Sequence, residues 1–328
     1  MKKFILLLVL GLLFSLKVRA AIRDTDNTEN GVVSQSHRET TAQRAVSRLR
    51  RTNDRSVLRV HEDHEDDENA ENGVVQWSQR CFLLKEGNKF IKQEGDCKSR
   101  HSPCSTFKIA ISLMGYNEGL LIDEFHPEIP FIEAYPAYIE AWKKPHNPSL
   151  WLKNSCVWYS QVLTRKLGMK KFKKYIREFK YGNKDISGDK GLDNGLTESW
   201  LSSSLQISPE EQLKFLQKLL DNKLPVSLKA HTMTRNILFI EELADGWKLY
   251  GKTGSGVLLN KDGTENPDRQ IGWFIGWVEK ADRKIVFSYY IQDDDKQDTY
   301  AGQRAKQELI VNLIANLSKY VNNIFNEN

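Results

Sequence analysis

Four cysteines and nine prolines in 328 residues are too few for a disulfide-stapled scaffold or a proline-rich low-complexity chain. Twenty glycines without a three-residue period exclude a collagen-like one. No apolar run reaches the roughly 20 residues that a bilayer-spanning helix needs; the stretch from Phe4 to Leu16 has 13. There is no H-E-x-x-H and no multi-cysteine ligand spacing, so no metal ligands are assigned and a zinc-dependent hydrolase is disfavoured. Excess charge is also scarce. The formal charge is +5, but Lys2, Lys3, Lys17 and Arg19 lie in the first 20 residues without an acid, and removing them leaves 44 basic against 43 acidic groups. Such a balance is not built to grip nucleic acid. What the chain does have is apolar mass, 40% of its residues, enough for one large core or two modest ones.

The first 20 residues read as an export signal: a charged Met1-Lys2-Lys3, the apolar run, and small residues around Val18-Arg19-Ala20 for cleavage. This predicts a product in the periplasm, without a membrane span once the signal is removed. Residues 21–75 read as a disordered charged leader: no sustained periodicity, eight arginines facing 12 acids, and seven of those acids between Glu62 and Glu71. Asn27-Thr28-Glu29-Asn30-Gly31-Val32-Val33 recurs as Asn69-Ala70-Glu71-Asn72-Gly73-Val74-Val75, two copies and so no solenoid. Ala42, Ala45, Val46 and Leu49 have helical spacing but little apolar area, and His61-Glu62-Asp63-His64 sits in a solvated acidic run.

From residue 76 to 328 the chain reads as one folded domain. Arg80 to Leu84 and Lys89 to Ile91 form a predicted hairpin turning at Gly87-Asn88. Helical periodicity is expected from Ser105 to about Leu220. Ser208-Pro209-Glu210-Glu211 is a capping box ahead of Leu213, Leu216, Leu219 and Leu220, and a helix through Val157 and Leu163 should stop at Gly168. Strands return at 247–251, 272–278 and 285–291, followed by a long helix with Leu309, Leu313, Leu317, Tyr320, Val321 and Ile324 on one face. The expected fold class is α+β: an antiparallel sheet flanked by helices, with a helical subdomain at about 105–224 inserted between its two halves.

The chemistry concentrates in three short motifs. Ser105-Thr106-Phe107-Lys108 leads into an apolar helix, and the spacing of three puts the Ser105 hydroxyl and the Lys108 amine on one face. An amine surrounded by apolar side chains loses hydration, which favours its neutral form. Ser155-Cys156-Val157 follows at the start of a helix, and Lys252-Thr253-Gly254 falls in the second half of the sheet. S-x-x-K, S-x-[N or V] and K-T-G in this order argue for a serine acyl-transferase site. The four cysteines, Cys81, Cys97, Cys104 and Cys156, allow three pairings. Cys81 and Cys97 flank the hairpin, while Cys104 adjoins Ser105 and is its rival as nucleophile, without a histidine partner nearby.

These motifs resemble those of the penicillin-recognising serine hydrolases, and in detail the class D, oxacillinase-type serine β-lactamases. The resemblance rests on Pro103-Cys104-Ser105-Thr106-Phe107-Lys108-Ile109, Ser155-Cys156-Val157, Tyr181-Gly182-Asn183, Gly195-Leu196-Thr197 through Trp200-Leu201 to Ile207-Ser208-Pro209, and Gly272-Trp273-Phe274-Ile275-Gly276-Trp277-Val278. It covers about residues 77–320. It implies hydrolysis of β-lactam antibiotics, and hence resistance to them, with Ser105 as nucleophile. Lys108, carboxylated by CO2 or bicarbonate to N6-carboxylysine, would be the general base, with no other cofactor. The resemblance further implies Ser155 as proton relay, Lys252, Thr253, Gly254, Ser255 and Arg304 as substrate-binding residues, and Val157 and Trp200 as stabilisers of the carbamate. The Ser105 and Ser255 amides would form the oxyanion hole. Glu198 is read as a loop residue and Asn183 as a loop stabiliser. Pairing of two copies into a dimer is left open. A transpeptidase would show S-x-N at the second motif, and a β-lactam sensor would stay acylated.

Overall fold

The computed structural model describes residues 79–325, with side chains to residue 313. The expected signal and leader, their repeat, the arginine-flanked alanines, the His61–His64 run and the apolar face from Leu317 to Ile324 lie outside the described residues or side chains. Strands β1 (Cys81–Glu86) and β2 (Lys89–Gly95) form the hairpin, and Gly87 takes the left-handed φ of +53° that the tight turn demands. Helices α1 (Lys108–Asn117), α2 (Pro148–Lys153), α3 (Val157–Leu167), α4 (Met169–Phe179), α5 (Gly195–Glu198), α6 (Pro209–Leu220) and α7 (Leu228–Asn236) follow. Strands β3 (Phe239–Glu242), β4 (Lys248–Leu259), β5 (Glu265–Lys280) and β6 (Arg283–Gln292) complete the sheet, and α8 (Ala301–Phe325) closes the fold.

The sheet runs β2-β1-β6-β5-β4-β3 with every neighbouring pair antiparallel. Pairing of β1 with β6 joins the strands that precede and follow the helical insertion, as the α+β reading requires. Both faces of the sheet are covered, so the central strands are apolar on both sides. Ile271, Trp273, Ile275 and Trp277 of β5 share one core with α1, α3, α4 and α6, while Phe274 and Val278 meet Ala305, Leu309 and Leu313 of α8. Gly272 lets α8 approach: a Cβ there would lie 2.4 Å from the Ala301 carbonyl.

The local signals fold as read. Ser208 and Glu211 complete the capping box of α6, and Gly168 ends α3 at φ +76°. Cys81 and Cys97 are disulfide-bonded, leaving Cys104 and Cys156 as buried thiols. Three expectations differ. Continuous helical structure over 105–220 is interrupted at 118–147, which holds the short 3-10 turn Glu140–Trp142 and an antiparallel bridge between Ile129 and His146. Pro127, Pro130, Pro136 and Pro145 in that stretch remove helix donors and clash with the preceding turn. The strands of the second half are longer than expected, because β4 and β5 continue past the apolar segment as a half-exposed hairpin. The short edge strand β3 was not foreseen at all.

Candidate active site

The site lies where the chain enters the helical insertion and meets β4. Ser105 sits in a 3-10 turn, Cys104–Phe107, and α1 proper begins only at Lys108. Residues three apart eclipse in a 3-10 turn, and the Lys108 Nζ donates to the Ser105 Oγ at 3.0 Å. Every α1 residue from Lys108 to Tyr116 is buried, so the helix threads the core. Lys108 itself is 0% exposed, and the titratable groups acting on it are the Cys156 and Cys104 thiols, not a carboxylate. Burial therefore pulls its amine down to about 8, partly opposed by the neighbouring Cys156 and Cys104 thiols.

Ser155 occupies the left-handed region at φ +56°, one residue before Cys156, the N-cap of α3. Its Oγ accepts a 2.9 Å bond from the Lys252 Nζ, which also donates to the Thr253 carbonyl at 3.0 Å. Lys252 is likewise buried and its amine is held well below the usual lysine range, first by desolvation and next by the Lys108 charge. The two lysines are thus within electrostatic reach of each other. Both are buried, whereas Ser105 and Ser155 are half-buried. Gly254 packs directly on the nucleophile turn; a Cβ there would come within 3.0 Å of the Pro103 carbonyl.

Val157 is buried at the start of α3, next in sequence to the Cys156 thiol that acts on Lys108. Trp200 is fully buried, its ring 5.4 Å from Phe107 and 6.4 Å from Phe172. Its Nε1 has no acceptor among the described residues. An indole N–H orphaned in an apolar core is costly, and Phe107, whose ring packs 5.4 Å from the indole, directly precedes Lys108.

The remaining expected residues gather at the other side of β4. The Ser255 Oγ accepts from the Gly302 amide at 3.0 Å, tying the K-T-G strand to the first turn of α8. Arg304, two residues after Gly302, gives Nη1 and Nη2 to the Asp293 carboxylate at 2.7 and 2.5 Å, which raises its already high pKa. Asp293 is 8% exposed and opens a three-aspartate run whose role the sequence alone did not reveal; its only signal was being the first acid after an apolar strand. Burial pushes the Cys104 thiol up to about 11, which keeps it protonated and poorly nucleophilic. Glu198 accepts a bond from the Gln161 Nε2 at 2.9 Å, and burial raises its pKa. Asn183 bonds the backbone at Ser204 and Gln206, pinning the end of the Trp200 loop.

Residues 52–315 match the penicillin binding protein transpeptidase domain family. Beta-lactamase OXA-9 of Klebsiella pneumoniae is 42% identical over 241 residues, 71% of this chain and 86% of the relative. The chain belongs to the class D β-lactamases. Beta-lactamase OXA-1 of Escherichia coli is 42% identical over 64% of this chain and 75% of its own. The crystal structure of the class D β-lactamase OXA-427 superposes with a TM-score of 0.70 at 44% identity, covering 74% of this chain and 99% of that one. A second kind of relative is the C-terminal domain of the Bacillus licheniformis BlaR penicillin-receptor, with a TM-score of 0.63 at 27% identity over 73% of this chain and 91% of that one. As a class D β-lactamase, the protein hydrolyses β-lactams.

Proposed function

We propose that this β-lactamase works through an acyl-enzyme on Ser105, with Lys108 as the residue that makes it reactive. The observation carrying the reading is the fully buried Lys108 amine 3.0 Å from the Ser105 hydroxyl. Desolvation keeps a large share of that amine neutral near pH 8, and a neutral amine is what reaction with CO2 requires. Carboxylated, Lys108 would supply an anionic proton acceptor for the serine and then for the deacylating water. Trp200 would hold the new oxygen through its orphaned N–H, and Val157 would keep the surroundings apolar.

Ser105 Oγ attacks the lactam carbonyl carbon and gives up its proton on the Lys108 side. The backbone amides of Ser105 and Ser255 receive the oxyanion. As the C–N bond breaks, Ser155 passes its proton to the leaving nitrogen, and Lys252, which donates to the same oxygen, is placed to replace it. Thr253, Gly254 and Ser255 form the strand beside the substrate, and Arg304, oriented by Asp293 with donors to spare, binds its carboxylate. Water then cleaves the ester. Export to the periplasm and resistance to β-lactams belong to the same reading. The Cys81–Cys97 bond suits an oxidising compartment, and no helix among the described residues is long and apolar enough to cross a membrane.

The test is penicillin turnover by the purified chain with and without bicarbonate. Hydrolysis should weaken when CO2 is withdrawn and recover on its return, and Trp200→Phe, which keeps the ring and deletes the N–H, should need more bicarbonate for the same rate. A stoichiometric burst ending in a stable adduct would instead support a receptor function, like that named for the BlaR domain.

A further inference from the structure

Ser102 lies three residues before the nucleophile, is 7% exposed, and has no part in the chemistry above. It nevertheless joins three pieces of the site. Its hydroxyl donates to the Trp200 carbonyl at 2.8 Å and accepts from the Ser202 amide at 2.9 Å, while its own carbonyl accepts from the Trp273 Nε1 on β5 at 2.9 Å. The hydroxyl thus bonds the backbone on both sides of Leu201, directly after the indole-bearing residue. Ser202 is held there at φ +51°, a conformation a non-glycine residue keeps only when its surroundings impose it. Its own Oγ accepts from the Val257 amide of β4 at 3.3 Å, the second tether of the turn. Next to Ser102, His101 pairs through both backbone groups with Ile207, at the far end of the same loop.

We infer that Ser102 is a positioning residue for lysine carboxylation: by clamping the turn after Trp200 to the nucleophile segment, it fixes where the indole N–H stands relative to Lys108. This rests on the proposed carbamate. Phe107 packs tilted on the indole and Phe172 meets it in a T-shaped contact, but ring packing alone does not fix the backbone that carries it; the two bonds to Ser102 do. Removing the hydroxyl leaves the buried Trp200 carbonyl and the half-buried Ser202 amide without these partners, and the turn must move to satisfy them.

The experiment compares wild type, Ser102→Ala and Ser102→Thr. Lysine carbamate is read directly by carbon-13 NMR in labelled bicarbonate, and the bicarbonate concentration giving half-maximal turnover is measured alongside. Ser102→Ala should need at least about tenfold more bicarbonate and show a weaker carbamate signal at ambient CO2, with turnover restored at saturation; Ser102→Thr, which keeps the hydroxyl, should stay near wild type. Should Ser102→Ala not fold, Ser202→Ala loosens the same turn from its half-exposed side and should give a smaller change in the same direction. A full carbamate signal and an unchanged bicarbonate requirement in a folded variant would overturn the role of Ser102 alone. No carbamate signal in the wild type would overturn the carbamate reading itself, and this inference with it.

Discussion

Lys108 shows at a single residue how function opposes stability. An ordinary lysine amine titrates near 10.5, and in the folded protein burial brings this one to about 8. Between those values the unfolded chain binds a proton that the folded chain does not, so the contribution of Lys108 to stability rises with pH from about 8 to about 10.5 and is least favourable below 8. The gap corresponds to about 3 kcal/mol, from which the bond to Ser105 returns about 1 kcal/mol. Lys108→Met, similar in length and without charge, should therefore be more stable than the wild type by about 2 kcal/mol at pH 7 in bicarbonate-free buffer, with the advantage shrinking toward pH 10.5. Denaturant unfolding at the two pH values checks this, and turnover should be lost at both. A variant less stable than the wild type at pH 7 would mean that the buried ammonium is solvated or paired in a way the hydrogen bonds do not show.

At the scale of elements, the site is an arrangement of backbones that only small residues permit. Gly254 of β4 lies against Pro103 and Thr106 of the nucleophile turn, and Gly302 of α8 lies against Gly254, where a Cβ would come 2.4 Å from the Gly254 carbonyl. Gly254→Ala should displace the turn by a few tenths of an ångström without unfolding the sheet, lowering kcat by on the order of tenfold to a hundredfold while circular dichroism stays unchanged. Unaltered kcat would show that the turn has room to give. Elements governed by neighbouring residues were legible in the sequence. The Gly87-Asn88 turn, the Ser208–Glu211 capping box, the stop at Gly168 and the Ser105–Lys108 spacing each depend on a few consecutive positions. What escaped depends on partners distant in the chain. The Asp293–Arg304 pair spans a loop, the Ser102 clamp reaches 98 residues to Trp200, and β3 exists because β4 offers it an edge. The irregular 118–147 segment was misread because its apolar residues, among them Phe131 and Tyr135, pack on the core without being helical; burial alone does not distinguish the two.

At the scale of the whole fold, the decisive feature is that the first and last of the described strands pair with each other, so the helical insertion carrying both serines hangs from one continuous sheet. The Cys81–Cys97 bond fastens that sheet where the chain leaves it, just ahead of the nucleophile segment, and the Asp96 amide adds a bond to the Arg80 carbonyl. A crosslink acts mainly on the unfolded chain by closing a loop, and a loop of about 15 residues is worth about 3 kcal/mol. In a domain of this size, about 2–4 °C accompanies each kcal/mol. Replacing both cysteines with serine, or reducing them, should therefore lower Tm by roughly 6–12 °C. Penicillin turnover at 25 °C should stay near wild type, because neither sulfur touches Ser105, Lys108, Ser155 or Lys252. Calorimetry of the oxidised and reduced protein, with thiol titration to count the two buried free cysteines separately, decides it. A reduced protein that melts with the oxidised one would place the hold on the nucleophile segment in the β1–β6 pairing and the His101–Ile207 bridge rather than in the covalent bond.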